Sequence, residues 1–172
     1  MPAFIDVIIL MGVAGSGKST IGKMLSERLG WQFYDGDDYH PKENVEKMKK
    51  GIPLTDDDRW PWLKAIEQLI NSRLSDNQKS IIACSALKRE YREYLKQDKE
   101  DIVFVYLKGD EKILRERISS RHGHFAGVDL IESQLDTIEE PHNVLTVDIA
   151  RKPEEITDYL IERLELPKSY PE

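Results

Sequence analysis

The chain has a single cysteine, Cys84, in 172 residues. One thiol cannot form an internal disulfide, so the compartment expected is a reducing one, the cytoplasm. No apolar run approaches the ~20 residues needed to span a bilayer. The N-terminal apolar segment is broken by Asp6 and lacks the basic region and cleavage site of a secretory signal. Positive charge is also scarce: 25 Lys and Arg face 32 Asp and Glu, for a net charge of −7. That balance repels nucleic acid and anionic lipid, so neither partner is expected. Repeats and low-complexity stretches are missing as well. A chain of this length, 40% apolar and 33% charged, is most simply one domain over residues 1–172, able to bury roughly 70% of its unfolded surface.

What is present is organised around Gly12-Val13-Ala14-Gly15-Ser16-Gly17-Lys18-Ser19. This fits G-x-x-x-x-G-K-[ST], the phosphate-binding loop. Upstream, Phe4 to Met11 is apolar and β-branched, as a buried parallel strand should be. Downstream, Ile21, Met24, Leu25 and Leu29 fall at helical spacing, and Gly30 supplies a stop. Backbone N–H groups and the helix dipole then converge on one point, where a phosphate chain fits. Lys18 can neutralise the β- and γ-phosphates, Ser19 can ligate Mg²⁺, and Thr20 follows in the same turn. ATP is the expected nucleotide.

Trp31 to Tyr34 is a short second strand, running into Asp35-Gly36-Asp37-Asp38. In a parallel sheet the carboxyl ends of strands face the ligand crevice. Crowded carboxylates there suit a cation and an acceptor group: Asp37 can take a hydroxyl proton, and Asp35 can hold a water on Mg²⁺. Pro41 to Lys50 is a short charged helix with Val45 and Met48 turned inward. Gly51 to Trp62 is a loop dense in turn residues, acids and tryptophans, with Arg59 among the acids and the tryptophans packing the entry to the long helix that follows. Strands at Ser80–Cys84, Ile102–Leu107 and Val144–Asp148 alternate with further helices. One helix starts at Asp110 and places Arg117 and Arg121 on one face near its end. His122 to Gly127 is a glycine-flanked loop, as a lid over about 121–128 would need. Two histidines at 122 and 124 without further ligands do not make a metal site. The alternation predicts a three-layer α/β/α fold with a mostly parallel five-stranded sheet.

Phosphate loops serve GTPases, motors and small-molecule kinases. The guanine-reading N-K-x-D is missing, and the third strand ends in Cys84-Ser85 rather than the Asp of a motor. A phosphotransferase remains, with Lys18, Arg117 and Arg121 spreading positive charge around the moving phosphoryl. A nucleotide sensor that had lost its chemistry is disfavoured by the presence of both Lys18 and Asp37.

The run from Asp35 to Pro41, then Asn44, Lys47-Met48, Gly51, Pro53-Leu54, Asp56 to Leu63, Cys84 to Arg89, Tyr91-Arg92, the turn from Arg121 to Phe125, and Ser133-Gln134 resemble gluconokinases. The resemblance spans residue 7 to about 160 and implies a fold like that of shikimate and adenylate kinases. It also implies transfer of the ATP γ-phosphate to the 6-hydroxyl of D-gluconate, with Mg²⁺. A homodimer is compatible with it. The segment of about 38–75 would then bind the acceptor. Arg59, Lys88 and Arg92 are candidates for the gluconate carboxylate and Asp37, His40, Ser85 and Gln134 for its hydroxyls, with His124 a lid contact to phosphate or sugar. The adenylate-kinase-like position of Arg117 implies stacking on adenine, closed on the other side by Arg151 and Pro153. The runner-up is another kinase of this fold, such as a shikimate kinase, whose glycine-rich loop after the third strand is not evident here.

Overall fold

The computed structural model describes residues 4–119 and 127–167, with the backbone alone at 127–129. In chain order the elements are β1 (Val7–Met11), α1 (Lys18–Leu29), β2 (Gln32–Asp35), a 3₁₀ turn (Gly36–Tyr39), α2 (Lys42–Lys49) and α3 (Asp56–Ser75). There follow β3 (Ser80–Ala83), α4 (Arg89–Lys96), β4 (Ile102–Lys108), α5 (Glu111–Ser119), α6 (Gly127–Thr137), β5 (Leu145–Asp148) and α7 (Pro153–Arg163). The strands form one sheet in the order β2-β3-β1-β4-β5. The sheet was expected to be mostly parallel, and each described pairing is parallel.

β1 lies at the centre, and its five residues are 0% exposed. Strand alternation sends them to two cores. Ile8 and Leu10 join Ile21 and Leu25 of α1 and Leu160 of α7. Val7, Ile9 and Met11 join Leu63, Ile66 and Ile70 of α3 with Tyr91 and Leu95 of α4. Burying each such side chain stabilises the fold by roughly 1.5–3 kcal/mol, so this strand anchors whatever is attached to its end. The strand starts at Val7 rather than Phe4, which is 77% exposed.

Two expectations are corrected on the β2–α3 side. Asp56 to Trp62 is not loop but the opening of α3, with Pro61 inside the helix. The cause is a capping box. Thr55 Oγ1 accepts from Asp58 N–H at 3.1 Å, and the Asp58 carboxylate accepts from Thr55 N–H at 2.9 Å. Asp56, Asp57 and Asp58 then sit on the positive end of the helix dipole, which together with the box offsets part of the cost of Pro61. In α2 the buried residue is Asn44, while Val45 and Met48 are only half-buried. The Asp110 cap is as expected, its carboxylate accepting from Ile113 N–H at 2.9 Å.

From β1 the chain crosses to β2 at one edge, and β4 lies on the other flank of β1. The order reverses at β1, which opens a crevice at its carboxyl end. The phosphate loop sits there.

Candidate active site

Gly17 ends the phosphate loop with φ of 93°, left-handed backbone that a side chain would strain, and Lys18 opens α1. Lys18 Nζ donates to the carbonyls of Gly12 at 2.9 Å and Val13 at 3.0 Å, so its ammonium lies over the loop. Ser16 is buried, and its hydroxyl is among the buried side-chain atoms without a hydrogen-bond partner. A polar cradle of this kind fits the oxygens of a phosphate chain. Ser19 Oγ donates to Asp35 Oδ2 at 3.2 Å. A hydroxyl beside a carboxylate is the hard-oxygen donor set that Mg²⁺ takes. Among the described residues no group of three or more His, Cys, Asp or Glu could hold a metal. An ion at Ser19 and Asp35 therefore has to draw most of its ligands from phosphate and water, as Mg²⁺ does.

The residues expected to hold the nucleotide come together. Ser16, Gly17 and Thr20 share one cavity with Arg117, Arg151 and Pro153. Arg117 donates to the carbonyl of Ile149 at 2.7 Å and of Gly15 at 3.5 Å, which ties α5 to both the phosphate loop and the turn after β5. The Arg151 guanidinium lies 5.2 Å from the Tyr159 ring centre. Arg121, His122 and His124, and with them most of the expected lid, lie outside the described residues.

A second cavity, with Lys18 in its wall, is lined by Asp37, His40, Arg59, Ser85 and Gln134. Local structure explains why Asp37 faces it. Asp35 Oδ1 accepts from Asp37 N–H at 3.0 Å, which starts the 3₁₀ turn. A Cβ on Gly36 would lie 2.3 Å from the Ala83 carbonyl, so only glycine lets the turn press against the end of β3. Trp62 Nε1–H donates to the Gly36 carbonyl at 2.8 Å and pins the turn to α3. The same indole stacks on His40 at 4.3 Å. Burial, and secondarily the nearby Arg59 cation, push the His40 imidazole pKa down to about 4. On the opposite wall Gln134 Oε1 accepts from Ala14 N–H at 2.7 Å, joining α6 to the phosphate loop.

The three cations proposed for a carboxylate separate clearly. Arg59, which tends on sequence grounds toward a surface ion pair with its acidic neighbours, is only 7% exposed and lines the cavity. Its guanidinium donates to Tyr91 Oη at 3.2 Å. Tyr91 donates in turn to Asp56, which Lys88 Nζ contacts at 2.9 Å. The Tyr91 hydroxyl and then Lys88 hold the Asp56 carboxyl below the usual carboxylate range. Lys88 thus backs the network that carries Arg59 and is not among the cavity-lining residues. Arg92 is spent on main-chain carbonyls, donating to Ala86 at 2.7 Å, Leu87 at 3.0 Å and Glu139 at 2.7 Å. Its role is to brace the segment after β3, a correction to its place among the acceptor-binding candidates.

Trp62 is a cavity wall as well as a packing residue, and Ser133, Met48 and Leu54 also line the cavity. These positions belong to the stretches that resemble gluconokinases, but no role in the cavity was expected of them. Of these, Trp62 owes its position to α3 beginning earlier than the loop reading allowed, while Met48 comes from α2 and Ser133 from α6.

Comparison with known proteins follows the geometry. A family model described as shikimate kinase matches residues 14–165. A probable gluconokinase of Xenopus tropicalis is 44% identical over 150 residues, 78% of this chain and 79% of that one. The thermoresistant gluconokinase of Escherichia coli K12 is 41% identical over 160 residues, 91% of each chain. The crystal structure of a gluconokinase from Sinorhizobium meliloti 1021 superposes with a TM-score of 0.85 at 43% identity, covering 94% of this chain and 93% of that one. With similarity of this depth over nearly its whole length, the chain belongs to the gluconokinase family of shikimate-kinase-like P-loop kinases.

Proposed function

We propose that this protein transfers the γ-phosphoryl group of Mg-ATP to the 6-hydroxyl of D-gluconate. The observation that carries the reading is the cavity beside the phosphate loop, where Lys18, Asp37 and Arg59 meet. An anionic polyol needs a cation for its carboxylate and hydrogen-bonding groups for its hydroxyls. Arg59 supplies the first; His40, Ser85 and Gln134 supply the second. In the transfer, the acceptor oxygen forms its bond to the γ-phosphorus while the bond to the β,γ-bridging oxygen breaks and ADP leaves. The acceptor hydroxyl proton passes to Asp37. Lys18 balances charge on the phosphoryl oxygens, and Ser19 and Asp35 would hold Mg²⁺, which would supply further positive charge against the transferred group. Arg117, Arg151 and Pro153 flank the base. Arg121 completes the charge on the transferred group in this reading. A cytoplasmic location suits an enzyme drawing on ATP.

The test is a coupled ADP-release assay over sugar acids, neutral sugars, shikimate and nucleoside monophosphates. Gluconate should stand out by kcat/KM. A preference for shikimate, or ADP release indifferent to the acceptor, would reject the assignment. Asp37→Asn should retain ATP binding by calorimetry while turnover collapses.

A further inference from the structure

Asn44 is a buried polar side chain, 3% exposed, on the charged helix α2. Its Nδ2 donates to the Asp58 carbonyl at 2.8 Å. A carbonyl oxygen can only accept, so the amide presents its NH₂ group there and not its oxygen. The same Nδ2 lies 3.2 Å from His40 Nδ1. With one hydrogen given to Asp58, its second is directed at the imidazole. Nδ1 must meet it with a lone pair, which leaves the ring proton on Nε2. The Trp62 stack, at 13° between planes, fixes the ring orientation.

His40 Nε2 lies 4.0 Å from Asp37 Oδ1, too far for a direct hydrogen bond. Both residues line the acceptor cavity with Lys18 and Arg59. An oxygen at about 2.8 Å from each atom fits between them. It would accept from Nε2–H and donate to the carboxylate, which a hydroxyl does and an ether or a carbonyl does not.

We propose that the Asn44 amide locks His40 as its neutral Nε2–H tautomer, so that His40 and Asp37 together grip one acceptor hydroxyl, His40 donating to its oxygen and Asp37 accepting its hydrogen. Asn44 is then a positioning residue for the acceptor. Burial and the Arg59 cation keep the ring neutral, which suits the same arrangement. The inference rests on the acceptor being a polyol such as gluconate; the tautomer itself does not.

The test is long-range ¹H–¹⁵N NMR of the full chain carrying ¹⁵N-histidine, without ligand. Four histidines give four spin systems, and His40 is assigned by its loss in His40→Gln. The expected pattern is a protonated Nε2 and a bare Nδ1 from about pH 5.5 to 8. Asn44→Asp places a carboxylate at Nδ1 and should draw a proton there. It should also raise the gluconate KM about tenfold with the ATP KM unchanged. His40→Gln, which can still offer an N–H, should keep the gluconate KM within about threefold, and His40→Leu should not. An Nδ1–H or imidazolium form in the wild-type protein at neutral pH overturns the proposal. So does Asn44→Asp moving the proton while leaving the gluconate KM unchanged. Should Asn44→Asp fail to fold, the wild-type spectrum and the His40 pair still decide. If the wild-type enzyme does not release ADP with gluconate, the acceptor assignment fails, while the spectrum still decides the tautomer.

Discussion

Ser19 Oγ and Asp35 Oδ2 meet at 3.2 Å, joining the first turn of α1 to the last residue of β2. The other oxygen of Asp35 caps the turn that carries Asp37. One carboxylate therefore links the side of the site proposed for Mg²⁺ to the side proposed for the acceptor.

Asp35→Asn separates those two duties. The amide keeps an oxygen for Asp37 N–H but loses the negative charge. The apparent Mg²⁺ requirement at saturating ATP and gluconate should rise about tenfold, with the gluconate KM little changed. A Mg²⁺ titration that superposes on the wild-type curve would remove Asp35 from the metal site.

Lys18 lies over the loop carbonyls of Gly12 and Val13. Its charge matters most when negative charge moves onto the β,γ-bridge. Lys18→Ala should lower kcat by about two to three orders of magnitude. The circular dichroism spectrum should not change, because the core at β1 is untouched. Near-normal turnover in a folded variant would take Lys18 out of the chemistry.

Much of this site is legible in the sequence because its parts are local. The phosphate loop is one contiguous motif between an all-apolar strand and an amphipathic helix. Asp35 and Asp37 follow a strand at the place where parallel sheets put ligands. What is not legible depends on distant contacts. Arg59 follows three acids in sequence and looks like their surface partner, yet Tyr91, 32 residues later, draws it inside. Arg92 looks like a substrate cation until the carbonyls of Ala86, Leu87 and Glu139 take three of its donors. The start of α3 was hidden by Pro61, because a breaker is easier to read than the capping box that overrides it.

That capping box gives a stability prediction. Hydrogen bonds from Lys47 first and the Thr55 backbone second hold the Asp58 carboxyl at about 2, below its ordinary 3.8. A depressed folded-state value stabilises above the unfolded value and loses that contribution as pH falls. The melting temperature should therefore drop as pH falls from about 3.8 towards about 2. Asp58→Asn should flatten that part of the profile. Thr55→Ala should cost about 1 kcal/mol at neutral pH, read by urea unfolding. An acid profile of Asp58→Asn parallel to that of the wild-type protein would show that the box does not couple to folding.

Arg59 carries the sharpest specificity prediction, because its surroundings define what it is for. Its guanidinium is 5.8 Å from the Tyr91 ring centre and donates to the Tyr91 hydroxyl, so one edge of its fork is fixed from α4. The cavity side also holds the Asp37 carboxylate, which would repel an anionic acceptor unless a cation offsets it. Arg59→Ala should raise the gluconate KM about a hundredfold, as loss of a charge-assisted contact does, while kcat falls less. Arg59→Lys keeps the charge but not the fork and should recover only part of that loss. Lys88→Ala, acting through Asp56 and Tyr91, should have a smaller effect. A neutral polyol of the same length discriminates between binding and folding: it should be a poor acceptor for the wild-type enzyme and no poorer for Arg59→Ala. If Arg59→Ala weakens both acceptors equally and lowers the melting temperature, Arg59 supports the fold rather than reading the carboxylate.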